Sequence, residues 1–93
     1  MTVEKPNKKP LNAQFPSRFP LKAVGKSDTN FPEQVFKIVK SHIPYVQSDD
    51  MVTRPSGGGK YTAVTVTFLA ESREQVEAIY TELNTLDSVL MLL

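Results

Sequence analysis

The sequence predicts an α+β sandwich, in which a four-stranded antiparallel sheet carries two helices on one face in the order β-α-β-β-α-β. Three observations carry that expectation. Residues 63–68 alternate, with Val64, Val66 and Phe68 on one side and Ala63, Thr65 and Thr67 on the other, as in an antiparallel strand with one buried face. Val35, Ile38, Val39 and His42 recur at helical spacing, and so do Val76, Ile79, Tyr80 and Leu83. Between those two segments, Gly57-Gly58-Gly59 permits positive φ and hence a hairpin.

The elements follow in order. Residues 19–26 alternate loosely as far as Gly25 and make a first strand. Ser27, Asp28, Thr29 and Asn30 form a cluster of turn and cap formers, and Asn30 with Glu33 has the spacing of a capping box. Pro32 suits the first turn of a helix, where its missing N–H would be unpaired anyway. Glu33 and Lys37 stand in the favourable i,i+4 orientation, and Pro44 ends the helix by pushing the residue before it out of the helical region. Residues 49–56 read as a more polar second strand, with Pro55 pointing to an edge or a strand end. The third strand occupies residues 60–70. Ser72 caps the second helix, with Gln75 three residues on, and Glu74, Glu77 and Glu82 face water. Asp87 and Ser88 turn the chain into the last strand.

Right-handed crossovers place the strands in the order fourth, first, third, second. The fourth strand is then an edge. In a regular strand Val89, Met91 and Leu93 share one face and Leu90 and Leu92 the other, so this edge is apolar on both sides. Such an edge needs cover. Two occupants fit: a protein partner or second copy paired along the edge through Val89, Met91 and Leu93, or the chain's own N-terminal segment, through Leu11 or Phe15.

Ninety-three residues allow one domain with a modest core, burying about 60% of the surface the unfolded chain exposes. Residues 1–16 hold Pro6, Pro10 and Pro16 among Lys, Asn and Gln. Little there can be buried to offset the entropy of ordering, so they read as a disordered basic tail, or as an arm for a partner or anionic surface. Residues 17–93 form the folded domain. Residues 1–22 carry Lys5, Lys8, Lys9, Arg18 and Lys22 against Glu4, whereas residues 23–93 carry six basic and nine acidic residues. A mildly acidic domain argues against a nucleic-acid partner. The chain has no cysteine, which excludes disulfides, thiolate metal sites and a Cys nucleophile, and fits a cytoplasmic protein. The longest purely apolar run, residues 89–93, is too short for a membrane span or a signal-peptide core.

No constellation points to catalysis. The single histidine, His42, sits near the end of the first helix, where the helix dipole favours it. It has no sequence-evident nucleophile and acid around it. Asp49 and Asp50, as neighbours on a strand, point to opposite faces and make a poor carboxylate pair. Gly57-Gly58-Gly59-Lys60 lacks the spacing of a phosphate loop, and its lysine opens a strand rather than a helix. RNA-binding modules of this element order need aromatics on one sheet face, but Tyr61 and Phe68 have opposite parity. Acylphosphatases, enzymes of similar size and fold, carry an arginine-bearing cradle after a Gly; the stretch after Gly25 is Lys26-Ser27-Asp28-Thr29-Asn30, without an arginine. No cofactor and no metal are expected.

From about Phe15 onward the residues carry a resemblance. Phe15-Pro16, Lys22 with Val24 and Gly25, the Gln34-Val35 helix start, and Lys60-Tyr61 before the Thr/Val strand form one part of it. The strongest part is Glu74-Gln75-Val76-Glu77, Tyr80, Glu82-Leu83, Asp87, Val89 and Met91. In these the chain resembles the YbeD-like family of small bacterial proteins of unknown function. The resemblance implies a ferredoxin-like fold similar to ACT domains, the amino-acid-sensing modules attached to metabolic enzymes. ACT domains bind small ligands near the loop between the first strand and first helix, often with a Gly, an Asp and a second Gly. Gly25 and Asp28 match the first two, with Ser27 and Asn30 beside them, while Asn30-Phe31 stands where the second Gly would be. The expectation is therefore a non-catalytic regulatory or adaptor domain acting through protein–protein contact, with an ACT-like small-ligand sensor using Gly25, Ser27, Asp28 and Asn30 as the alternative.

Overall fold

The computed structural model describes residues 15–27 and 30–92. The elements are β1 (Ser17–Lys26), α1 (Phe31–His42), a 3-10 turn (Ser48–Asp50), β2 (Met51–Ser56), β3 (Tyr61–Ala70), α2 (Arg73–Leu83) and β4 (Val89–Leu92). The sheet runs β2-β3-β1-β4 with every pairing antiparallel, which is the predicted order and the ferredoxin-like arrangement. Most of the expected tail lies outside the described residues; of it, Phe15 packs against the core.

The central pair is β1 with β3, in unbroken register from Ser17 opposite Ala70 to Lys26 opposite Tyr61. Alternation decides which side chains go in. Phe19, Leu21 and Ala23 on β1 meet Val64, Val66 and Phe68 on β3 beneath the helices, all buried. Phe19 lies directly opposite Phe68, with ring centroids 5.9 Å apart, and meets the Tyr80 ring edge-on at 6.1 Å. The helices close this layer with Val35 and Val39 from α1 and Val76, Ile79 and Leu83 from α2. Ile38 is half-buried and packs on the margin of the core. Two core residues lie where no periodicity announces them: Ile43 and Val46, in the connection after α1, are fully covered. That connection is held by Lys40, whose Nζ donates to the carbonyls of Pro44 at 3.0 Å and Val46 at 2.9 Å.

The two helix starts differ. Ser72 caps α2 as expected, its Oγ accepting from the Gln75 N–H at 3.1 Å, while the Gln75 side chain accepts from the Glu71 N–H at 2.8 Å. The capping box expected at Asn30 and Glu33 does not form. Pro32 removes the N–H of the second helical position, and Asn30, at φ −81° and ψ 45°, is not in the extended conformation that turns a cap side chain toward the third. The start of α1 is instead fixed by packing: the Phe31 ring is fully buried over Gly25, where an added Cβ would lie 2.5 Å from the ring. The Glu33–Lys37 pair does not form either, while Arg73 and Glu77 pair at 3.0 Å on the exposed side of α2.

The starts of the first two strands and the regularity of the fourth are corrected, β1 beginning at Ser17 rather than residue 19. The second strand begins at Met51 rather than residue 49, because Ser48–Asp50 turns, with Asp50 Oδ2 accepting from the Gln47 N–H at 2.9 Å. The last strand begins at Val89 and is not regular. Met91 pairs with Val24, but Val89 pairs with Gly25, so Leu90 is an extra residue in a β-bulge. The bulge resets the alternation: Val89 and Leu92 both pack on the core, and Leu90 and Met91 are both exposed. Between β2 and β3, Gly57, Gly58 and Gly59 all have positive φ (58°, 71° and 93°), the conformation only glycine adopts freely.

Three stability outcomes are expected from denaturant titration. Leu83→Ala should cost about 2–5 kcal/mol, because a fully buried side chain leaves a cavity. Ser72→Ala should cost about 1 kcal/mol, and Asn30→Ala distinctly less, since only the serine makes a cap bond. Gly25→Ala should cost about 1–3 kcal/mol through overpacking against Phe31. That last cost should shrink in a Phe31→Leu background; an undiminished cost there would mean the two residues are not coupled.

Candidate functional site

The first loop holds the four residues expected to bind a ligand. Gly25 is buried beneath the Phe31 ring, which fills the space a ligand would need for close approach to that backbone. Ser27 is used in tying the loop to β3. Its Oγ lies 2.7 Å from Thr62 Oγ1, and its N–H donates to the Lys60 carbonyl at 3.0 Å. Asn30 is exposed and its carbonyl accepts from the Gln34 N–H at 2.9 Å. Asp28 lies outside the described residues. Gly25, Ser27 and Asn30 thus each have a structural employment.

A shallow cleft of about 330 Å³ lies beside this loop, between the start of α1 and the turn into β4, lined by Lys26, Gln34, Thr85, Leu86, Asp87 and Ser88. Ser88 is buried, and its Oγ donates to Gln34 Oε1 at 2.7 Å, while its carbonyl accepts from the Lys26 N–H at 3.2 Å. This polar clasp fastens the β4 turn to α1. Its two side chains are 54 residues apart, and no local pattern in the chain marks them as partners.

The apolar edge is corrected in its geometry. Val89 belongs to the core margin, and Met91, 53% exposed, stands on the opposite side of the strand with Val24 as its neighbour. Leu93 lies outside the described residues. Leu90, 49% exposed, joins Met91 instead, so the exposed pair on β4 is Leu90 and Met91. Phe15 does not cover them. It precedes β1 at the Ala70 end, whereas β4 pairs with Ala23, Val24 and Gly25, roughly 20 Å further along the strand. Leu11 lies outside the described residues.

The titratable side chains are placed structurally. His42 ends α1, half-buried, with Nε2 2.8 Å from Glu82 Oε1 of α2, a bridge between the two helices. Asp49 and Asp50 lie in the turn before β2. The Tyr45 hydroxyl donates to the Leu69 carbonyl at 2.8 Å; desolvation, then the Glu71 carboxylate 3.4 Å away, raise its pKa. Burial alone raises that of Tyr80. Both shifts keep the phenols protonated. Among the described residues no three His, Asp or Glu side chains gather where they could hold a metal ion, and no helix is long and apolar enough to cross a membrane. Tyr61 is 39% exposed on the outer face and Phe68 buried on the inner, as their parity requires.

Comparison with known proteins agrees with the fold and the resemblance. Residues 11–93 match the family described as "Protein of unknown function (DUF493)". A UPF0250 protein of Paraburkholderia phytofirmans is 45% identical over 67 residues, which cover 72% of this chain and 75% of that protein. A UPF0250 protein of Neisseria gonorrhoeae is 38% identical over 91 residues, covering 98% of this chain and 99% of its own. The solution structure of protein HP0495 from H. pylori superposes with a TM-score of 0.69 over 87% of this chain and 85% of that one, at 13% identity, a likeness of fold. The chain therefore belongs to the DUF493 (UPF0250, YbeD-like) family of small bacterial proteins of unknown function.

Proposed function

We propose that this domain is a non-catalytic interaction module with a regulatory or adaptor role, acting through contact with another protein. One observation carries the reading. Leu90 and Met91 stand exposed together on β4, an edge strand with β1 on one side and, among the described residues, no strand on the other. An edge combines outward backbone N–H and C=O groups with these side chains, which is the equipment for pairing with a further chain. The bulge at Leu90 supports the reading, since bulges re-aim side chains at edges. The alternative, a small-ligand sensor in the first loop, meets an occupied position, because the Phe31 ring already covers Gly25.

Affinity purification of the full chain from its native cell tests the reading. A partner should be recovered with the wild type and lost with Met91→Lys, whose exposed position leaves the fold intact. Sedimentation of the same two proteins identifies a second copy as the partner, if dimer grows with concentration in the wild type only. A thermal-shift screen with amino acids and phosphorylated metabolites should be flat; a reproducible rise in Tm with one of them would favour the sensor.

A further inference from the structure

The side of the sheet away from the helices is built from the alternate residues of every strand. On β1 these are Arg18, Pro20, Lys22 and Val24, and their cross-strand neighbours on β3 are Leu69, Thr67, Thr65 and Ala63. β2 adds Val52 opposite Thr65 and Arg54 opposite Ala63, and β4 adds Met91 opposite Val24. The four strands contain no acidic residue; the described Asp and Glu lie in the helices and turns, except Glu71, which follows the end of β3 and accepts from the Tyr45 hydroxyl. Among the described residues Arg18, Lys22 and Arg54 form no ion pair. The face is thus cationic and aliphatic at once, with Val52 54% and Met91 53% exposed between and beside the cations. Residues 17–93 carry eight basic and nine acidic side chains, and none of the described acidic ones lies in a strand.

We propose that this open face docks a protein segment that is acidic around an aliphatic patch. The inference rests on the interaction-module reading and specifies the partner's chemistry. Charge complementarity sets the sign, since three unpaired cations without a carboxylate repel a basic partner and attract an acidic one. The remaining side chains set the class. A single-stranded nucleic acid needs aromatic platforms for its bases, and this face has one, Tyr61, at its margin beside Gly57. Val24, Val52, Ala63 and Met91 offer aliphatic surface, which suits protein side chains. Arg and Met are enriched at protein–protein interfaces. Spacing agrees as well: Arg18 and Lys22, four residues apart on β1, project about 13 Å from each other, the repeat of carboxylates at positions i and i+4 of an extended segment.

Photo-crosslinking in the native cell tests this. A diazirine side chain replaces Val52 on the open face in one full-length protein and Ala78, exposed on α2, in another. The expected result is adducts from position 52 to peptides rich in Asp and Glu, and few from position 78. Lys22→Glu combined with Arg54→Glu should lower the yield at 52 about tenfold or more while leaving the melting temperature unchanged, since both positions are exposed. Nucleotide or lipid adducts at 52, neutral or basic peptides there, or a yield indifferent to charge reversal would overturn the proposal. Adducts confined to position 78 would overturn it while leaving the interaction-module reading in place. Absence of protein adducts at both positions would overturn this proposal, and only the further failure to recover any partner by affinity purification would remove the interaction-module reading as well.

Discussion

Phe31 lying on the bare Cα of Gly25 is the contact on which the rest of this domain turns. It joins the end of β1 to the start of α1 and stands in for the side-chain cap that Pro32 and the Asn30 backbone rule out. A fully buried phenyl ring brings far more apolar surface than a cap bond contributes, so packing holds a helix start that hydrogen bonding leaves open. The same glycine marks the register shift between β1 and β4. One small residue therefore sits where the first helix begins and where the edge strand changes phase. It also explains why the loop, whose residues resemble a ligand-binding one, is filled by the protein's own ring.

Much of the architecture was legible because local and global signals coincide. In β3 the alternation of Val64, Val66 and Phe68 with Ala63, Thr65 and Thr67 admits one buried face, and α2 has a serine cap that the structure uses. The strand order follows from the handedness of the crossovers. Where reading failed, the cause is nonlocal. The capping box at Asn30 was defeated by the backbone there, whose φ of −81° and ψ of 45° do not turn the side chain toward the third helical N–H, while Pro32 removes the second. The bulge at Leu90 depends on the partner strand, and a run of five apolar residues gives no sign of a phase change within it. Ile43 and Val46 straddle Pro44 and Tyr45, where no period can be counted.

The candidate surfaces divide in the same way. That the last strand exposes apolar side chains was readable; which ones depends on the bulge, and Leu90 takes the place expected for Val89. The alternate cations of β1 were present in the sequence, but dividing the charge at residue 22 grouped Arg18 and Lys22 with the basic N-terminal residues and made the domain look acidic. The clasp of Gln34 and Ser88 had no local signature, since neither residue type nor spacing joins positions so far apart.

The separation of charge has an effect on how the molecule meets its surroundings before anything touches it. The described residues carry equal numbers of basic and acidic side chains, yet the strands hold basic ones alone. Over the whole chain the balance is +1, so the charges nearly cancel in total but not in position and leave a dipole. In a field such a molecule is turned more than it is pulled. Near another charged body it would present its strands or its helices according to sign, and at physiological ionic strength this torque acts within a Debye length of about 8 Å. Added salt should therefore weaken orientation before it weakens the contact itself, and its influence should fall on rates of encounter more than on lifetimes.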